Sequence, residues 1–168
     1  LIAAVLVVLA VSRGCGNDGG SSEPGGPVSA RVTHVVDGDT IDVAMPDGDE
    51  ETVRYIGIDT PETVKPDTPV QCGGPKAHAV NERLVGGRSV TLRFDAERRD
   101  VYGRLLAYVH LPAARPGGHP LFVNAELVRL GLARTLTIPP NDSFASLFAR
   151  LAARAGALGR GLWGSCPL

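Results

Sequence analysis

Thr52-Val53-Arg54-Tyr55-Ile56-Gly57-Ile58-Asp59-Thr60-Pro61-Glu62 carries β-branched and apolar residues up to an acidic stop. The run predicts a strand over 52–58. Pro61 lacks a donor N–H and pushes Thr60 away from helical angles, so the strand ends at Asp59-Thr60-Pro61. Towards the N-terminus, residues 30–36 form another β-branched run ending at Asp37-Gly38, and residues 40–45 alternate apolar and polar. That pair predicts a hairpin with an Asp-Gly turn. Towards the C-terminus, a Pro- and Gly-rich loop over 63–74 leads to a helix over 75–85, with Pro75 in its first turn and Gly86 past its end. Residues 88–94 and 105–111 read as two more strands, joined by a polar turn from Glu97 to Arg104. Asn124 is expected to cap a helix ending at Gly131. Phe144, Leu147, Phe148, Leu151, Ala155 and Leu158 recur at helical spacing, which predicts a last helix over about 142–157. Five strands, one helix between the third and fourth, and two helices after the fifth describe an α+β chain. It is mainly β, a five-stranded OB-type Greek-key barrel with three helices.

The N-terminal flank reads differently. Leu1 to Val11 is an unbroken apolar run, shorter than the roughly 20 residues a membrane-spanning helix needs. It fits the apolar core of an export signal, so residues 1–14 are read as a signal-peptide remnant. Ser12-Arg13-Gly14-Cys15 resembles a bacterial lipoprotein cleavage site, with Cys15 as the lipidated residue, although Arg13 departs from the usual small or apolar residue. Plain secretion is the alternative. Residues 15–27 are mostly Gly, Ser and Pro, with two acids and no large apolar side chain, and read as a flexible tether. The folded domain is then expected over 28–166. In an exported chain the remaining cysteines, Cys72 and Cys166, read as a disulfide, with two buried thiols as the alternative.

Seventeen Lys and Arg against eighteen Asp and Glu leave a formal net charge of −1. That balance argues against a protein that holds nucleic acid by bulk charge. A few arginines at one point can still hold a phosphate. No Ser-His-Asp order, Gly-rich phosphate loop or metal spacing among the histidines is visible.

Three short segments concentrate chemistry: Val36-Asp37-Gly38-Asp39-Thr40, the strand end from Arg54 to Thr63, and Asp100-Val101-Tyr102-Gly103-Arg104. Each alone has a structural explanation as a turn or strand end. Together, with the segment from Val123 to Ala133 and the closing Gly161-Leu162-Trp163, they resemble the thermonuclease, or staphylococcal nuclease-like, family. The resemblance runs from about Val28 to Trp163 in one order and spacing. It implies an OB-type barrel and a calcium-dependent phosphodiesterase that cuts single-stranded or unwound DNA and RNA, leaving 3′-phosphate ends.

It also implies roles. Asp39 and Asp59, with the backbone carbonyl of Thr60, match the residues that bind Ca2+, a hard cation that takes oxygen ligands. Asp37 either supports that site from behind or only forms the turn. Glu62 matches the general base. Arg54 and Arg104 match two arginines whose planar heads bind phosphate oxygens. Tyr102 matches a residue that bonds a terminal phosphate or lines the pocket. Arg98 and Arg99 either touch a neighbouring phosphate or are solvated. The chain departs from the family's best-known member in two places. Val101 stands where that protein has Lys, and Arg134-Thr135-Leu136-Thr137-Ile138-Pro139-Pro140 lacks the tyrosines that pack against the base. Stacking contributes roughly 1–3 kcal/mol per base, so weaker and less base-selective binding is expected. The competing reading is a non-catalytic OB-fold nucleic-acid-binding module on an exported lipoprotein. Such a module would tolerate losing a carboxylate or an arginine, and Asp39, Asp59, Glu62, Arg54 and Arg104 are all present. Membrane contact is expected only through a lipid on Cys15, and the chain is expected to be a monomer.

Overall fold

The computed structural model describes residues 26–63 and 69–166. The signal remnant over 1–14, Cys15 and the tether as far as residue 25 lie outside the described residues.

β1 (Val28–Asp37), β2 (Thr40–Ala44) and β3 (Glu50–Tyr55) form an antiparallel meander. After α1 (Gly74–Val85), β5 (Ser89–Arg93) pairs antiparallel with β1, and β6 (Leu105–Leu111) pairs antiparallel with β5. β6 then runs parallel to β3, with Val53 opposite Leu105 and Tyr55 opposite Ala107. That last pairing closes the five strands into a barrel, which leaves none of them with a free edge along its whole length. The expected OB-type barrel with three helices is therefore present. α2 (Val123–Arg129) and α3 (Ala145–Ala157) are the other two, followed by a short α4 (Leu162–Ser165).

The alternation of β1 slips twice, with register irregularities between Val32 and His34 and between Val35 and Asp37. The bulges keep Val32, Val35 and Asp37 all facing inward. The core is aliphatic inside the barrel, with Ile41, Val43, Val53, Val90 and Leu92 fully buried. An aromatic cluster joins the barrel to α3: Tyr108 meets Phe144 edge-on at 4.7 Å between centroids, and Phe122 and Phe148 complete the group.

Several boundaries differ from expectation for identifiable reasons. The third strand does not run unbroken over 52–58. It breaks at Ile56-Gly57 and resumes as β4 (Ile58–Asp59), because Gly57 takes φ +81°, a conformation side chains disfavour. A Cβ on Gly57 would also collide with the Phe148 ring. β4 pairs with β8 (Arg134–Thr135), and β7 (Leu121–Phe122) adds to β6; both are two-residue strands with no periodicity to announce them. In the first hairpin Asp37 pairs with Thr40, so the turn is Gly38-Asp39 rather than Asp37-Gly38. Asn124 does not cap α2. Phe122 is the N-cap, and Asn124 is fully buried, accepting the Val109 N–H at 2.9 Å and donating to the Ile56 carbonyl at 2.9 Å. It satisfies two backbone groups that the break after β3 leaves without ladder partners.

Candidate active site

Two turns and one strand bring the acidic residues together. Asp39 sits at the tip of the β1–β2 hairpin, and its backbone carbonyl accepts the Tyr55 N–H at 2.9 Å. That bond fixes the hairpin tip to the end of β3. The Asp39 carboxylate accepts the Thr60 N–H at 2.6 Å and the Thr40 hydroxyl at 3.1 Å. Burial pushes this carboxyl above the usual carboxylate range, while Arg54 and the Thr60 N–H oppose the shift.

Arg54 lies between the two carboxylates that the family resemblance assigns to the metal. One guanidinium nitrogen is 3.1 Å from Asp39 Oδ2 and the other 2.9 Å from Asp59 Oδ1. The first nitrogen also donates to the backbone carbonyls of Tyr55 and Ile58, at 3.1 and 2.9 Å. The break at Gly57 turns these carbonyls inward, so the turn that splits the third strand also seats Arg54. The Asp59 side chain is about half exposed, whereas Asp39 is 5% exposed. The pair therefore has one fixed, desolvated carboxylate and one that faces solvent.

Asp37 stands behind this group. Its carboxylate accepts the Gly38 N–H and the Thr63 hydroxyl, both at 2.7 Å. Burial raises its affinity for a proton, and the neighbouring Asp39 charge and a contact with Glu62 add to that rise. Asp37 thus links the hairpin turn to the segment bearing Glu62. Glu62 Oε1 accepts the Thr63 N–H at 3.0 Å, and Gln71 holds the Glu62 backbone from both sides, at 3.2 and 3.0 Å. Buried Asn81 on α1 accepts the Tyr55 hydroxyl at 3.0 Å and donates to the Asp37 carbonyl at 3.0 Å. The helix thereby fixes two walls of the site.

Arg104 and Tyr102 approach from the β5–β6 connection. They share with Arg54 a cleft of about 540 Å3, whose walls include Leu106, Leu136, Ile138 and Asn141. Asp100 organises the turn: one carboxylate oxygen accepts the N–H groups of Tyr102 and Arg104 at 2.9 and 3.0 Å, and the other accepts Arg104 Nε at 2.8 Å. Arg104 leans over the Tyr102 ring at 5.4 Å. Tyr102 and Val101 are 80% and 93% exposed and form the rim of the cleft. Leu136 and Ile138 make part of the cleft wall aliphatic. Cys72 and Cys166 are joined by a disulfide, with Cα atoms 5.8 Å apart.

Among the described residues, no group of three or more His, Cys, Asp or Glu side chains forms a metal cage. The donor set is two carboxylates with a backbone carbonyl nearby. Water would have to complete a shell of 6–8 oxygens. All these donors are hard oxygens, and two carboxylates already converge on one cation, the Arg54 guanidinium. That chemistry suits a hard divalent cation.

Sequence reasoning missed the residues that hold the site from outside it. Glu51, Asn81 and Gln71 belong to no motif, and Arg99, expected to touch a phosphate or be solvated, is instead paired with Glu51. Only the burial of Asn81 inside an otherwise amphipathic helix carries a signal, and burial is not visible before the fold.

A closed five-stranded barrel that presents two acids and an arginine at one end, across a cleft from a second arginine, defines an OB-fold protein with an acid–arginine site. The family profile described as Staphylococcal nuclease homologue matches residues 52–165. A thermonuclease of Staphylococcus intermedius is 42% identical over 147 residues, covering 86% of this chain and 83% of that protein. A thermonuclease of Staphylococcus hyicus is 39% identical over 133 residues, covering 79% and 74%. Endonuclease YncB of Bacillus subtilis is 40% identical over 123 residues, covering 72% and 54%. The chain belongs to the staphylococcal nuclease homologue family.

Proposed function

We propose that this protein is an exported, calcium-dependent nuclease that hydrolyses phosphodiester bonds of single-stranded or unwound DNA and RNA. The observation that carries the reading is Arg54, held between Asp39 and Asp59 at 3.1 and 2.9 Å and facing Arg104 across one cleft. A phosphodiester resists hydrolysis because its negative charge repels nucleophiles and grows in the transition state. Fixed cationic donors around the phosphorus lower that barrier.

Asp39, Asp59 and the Thr60 carbonyl would hold Ca2+. The ion supplies charge neutralisation at a phosphate oxygen and orientation of a water. The chain's own residues do the rest. Arg54 donates to non-bridging phosphate oxygens, its orientation set by the Tyr55 and Ile58 carbonyls. Glu62 accepts the proton of the attacking water as its oxygen bonds to phosphorus. The bond from phosphorus to the 5′ oxygen breaks, and Arg104 donates a hydrogen bond to that departing oxygen, which takes a proton from solvent. The products are a 3′-phosphate and a 5′-hydroxyl. Asp37 keeps the Glu62 segment against the hairpin through Thr63. Tyr102 lines the phosphate end of the cleft. Export through the N-terminal segment agrees with the disulfide, which persists in oxidising compartments. Cys15 would carry a lipid anchor if that segment is processed as a lipoprotein.

The test uses the oxidised chain with single-stranded DNA and with RNA, in calcium and in chelator. Calcium-dependent cleavage to 3′-phosphate ends is expected. Glu62→Gln and Arg104→Ala should each lower kcat by about 10²-fold or more. A folded wild-type chain that binds DNA and does not cut it would replace this reading with the binding module.

A further inference from the structure

Arg104 rides on an unusual support. It follows Gly103, which takes φ +83°, so the preceding backbone has the freedom of glycine. The peptide unit between Gly103 and Arg104 is held at both polar groups by side chains. Asp100 Oδ1 accepts the Arg104 N–H at 3.0 Å, and Arg99 Nη1 donates to the Gly103 carbonyl at 2.6 Å. Arg99 is itself fixed by a two-pronged pair with Glu51, at 3.0 and 2.5 Å. Glu51 lies on β3, the strand that carries Arg54. A route of charge-assisted bonds therefore runs from the strand of one arginine to the peptide bond before the other. Asp100 moves with the turn, whereas Glu51 belongs to the barrel. The β3–β6 ladder sets Leu105 opposite Val53, and the Glu51–Arg99 route adds a side-chain tie that reaches past Leu105 to the Gly103–Arg104 peptide.

We propose that Glu51 and Arg99 are positioning residues that set Arg104 at its distance from Arg54, and that Arg99 is not itself a phosphate ligand. The proposal rests on the nuclease reading for its kinetic readout. Both terminal nitrogens of Arg99 are already engaged, with Glu51 and with the Gly103 carbonyl. Losing the brace would leave the substrate-binding groups in place and let Arg104 wander by a fraction of an ångström to an ångström. Displacement on that scale falls on the chemical step.

The test compares the full oxidised wild-type chain with Arg99→Ala, Glu51→Gln, Arg104→Ala and Arg99→Ala/Arg104→Ala. Steady-state cleavage of single-stranded DNA in calcium is measured, and each variant's fold is checked by thermal unfolding. Arg99→Ala and Glu51→Gln are expected to lower kcat roughly 10-fold, with KM within about twofold. In the Arg104→Ala background, Arg99→Ala should cost nothing further, since no group is left to position. Amide exchange at Arg104 should quicken in Arg99→Ala, a readout that needs no activity. A wild-type chain that cuts nothing removes the nuclease reading alone, and the exchange rate then decides the brace. Unchanged exchange overturns the proposal. So does an undiminished Arg99→Ala loss in the Arg104→Ala background, or a loss confined to KM with a shallower salt dependence, which marks a phosphate contact.

Discussion

The Cys72–Cys166 disulfide joins positions 94 residues apart. Replacing both cysteines with Ser should therefore free a loop of about two thirds of the domain. In the chain-entropy account, a cross-link closing a loop of about 100 residues stabilises by about 4.7 kcal/mol, and measured values for removing native bridges from small secreted domains span about 2–5 kcal/mol. The expected loss for Cys72→Ser/Cys166→Ser is thus about 3–5 kcal/mol, a large share of the roughly 5–15 kcal/mol a domain has in total. The bond also reaches the site. Cys72 adjoins Gln71, whose backbone N–H and side chain clamp the two sides of the Glu62 peptide at 3.0 and 3.2 Å. Urea unfolding of the oxidised wild type and the variant, fitted with free slopes, measures the stability term. Single-turnover cleavage well below both midpoints measures the site term, where a severalfold slower step is expected. A loss under about 1 kcal/mol with an unchanged slope would refute the entropic reasoning. It would mean that the packing of Leu162 on Gly73 holds the C-terminal turn in place without the bond.

Gly57→Ala combines a left-handed backbone with a collision against Phe148; these terms are about 1–2 and 1–3 kcal/mol, so thermal unfolding should show a loss of about 2–5 kcal/mol. Leu136→Tyr with Ile138→Tyr puts ring faces on the cleft wall, and KM for single-stranded DNA should fall about 10-fold at constant kcat, following the roughly 1–3 kcal/mol that stacking contributes per base. Burial alone would raise the Asp95 carboxyl, but the Tyr108 hydroxyl, Ser143 and the Ala96 N–H outweigh it and hold it below the ordinary 3.8. A depressed folded value means the unfolded chain binds the proton more readily, so this stabilisation is complete above about pH 4 and is lost as pH falls through the folded value. The penalty of Asp95→Asn in urea unfolding should accordingly be full at pH 7 and shrink at the acid end; a pH-independent penalty would refute the assignment.

The barrel was legible because its strands advertise themselves. Residues 40–44 and 105–111 alternate or run apolar between turn residues, and α3 repeats its apolar positions at helical spacing. What stayed hidden was set by tertiary partners. The pairs β4–β8 and β6–β7 are too short to show a period, and each exists because a neighbouring strand is there to receive it. The break at Ile56-Gly57 looked like a continuation of the strand, since Ile56 and Ile58 are strand formers and one glycine does not announce a turn. Asn124 looked like a cap, since Asn at a helix start usually is one. Its actual task depends on two carbonyl and amide groups far away in sequence, at Ile56 and Val109.

The site divides along the same line. Asp39, Arg54, Asp59, Glu62, Tyr102 and Arg104 lie in short motifs, as do Asp37 and Asp100 that help aim them, whereas Glu51, Gln71 and Asn81 do not. Local pairing of the arginines is how a chain of net charge −1 would carry the proposed phosphate-directed site. Arg54 rests on Asp39 and Asp59, Arg104 on Asp100, and Arg99 on Glu51. Each arginine is neutralised locally, so little field extends into solvent and long-range steering of a polyanion is weak. In the proposed mechanism a phosphate entering the cleft competes with a carboxylate for each guanidinium and is held where donors from Arg54 and Arg104 meet on one phosphorus. Recognition then depends on the spacing of two arginines rather than on the charge of the surface. In that mechanism, the carboxylates that hold the arginines in place set the rate as surely as the arginines do.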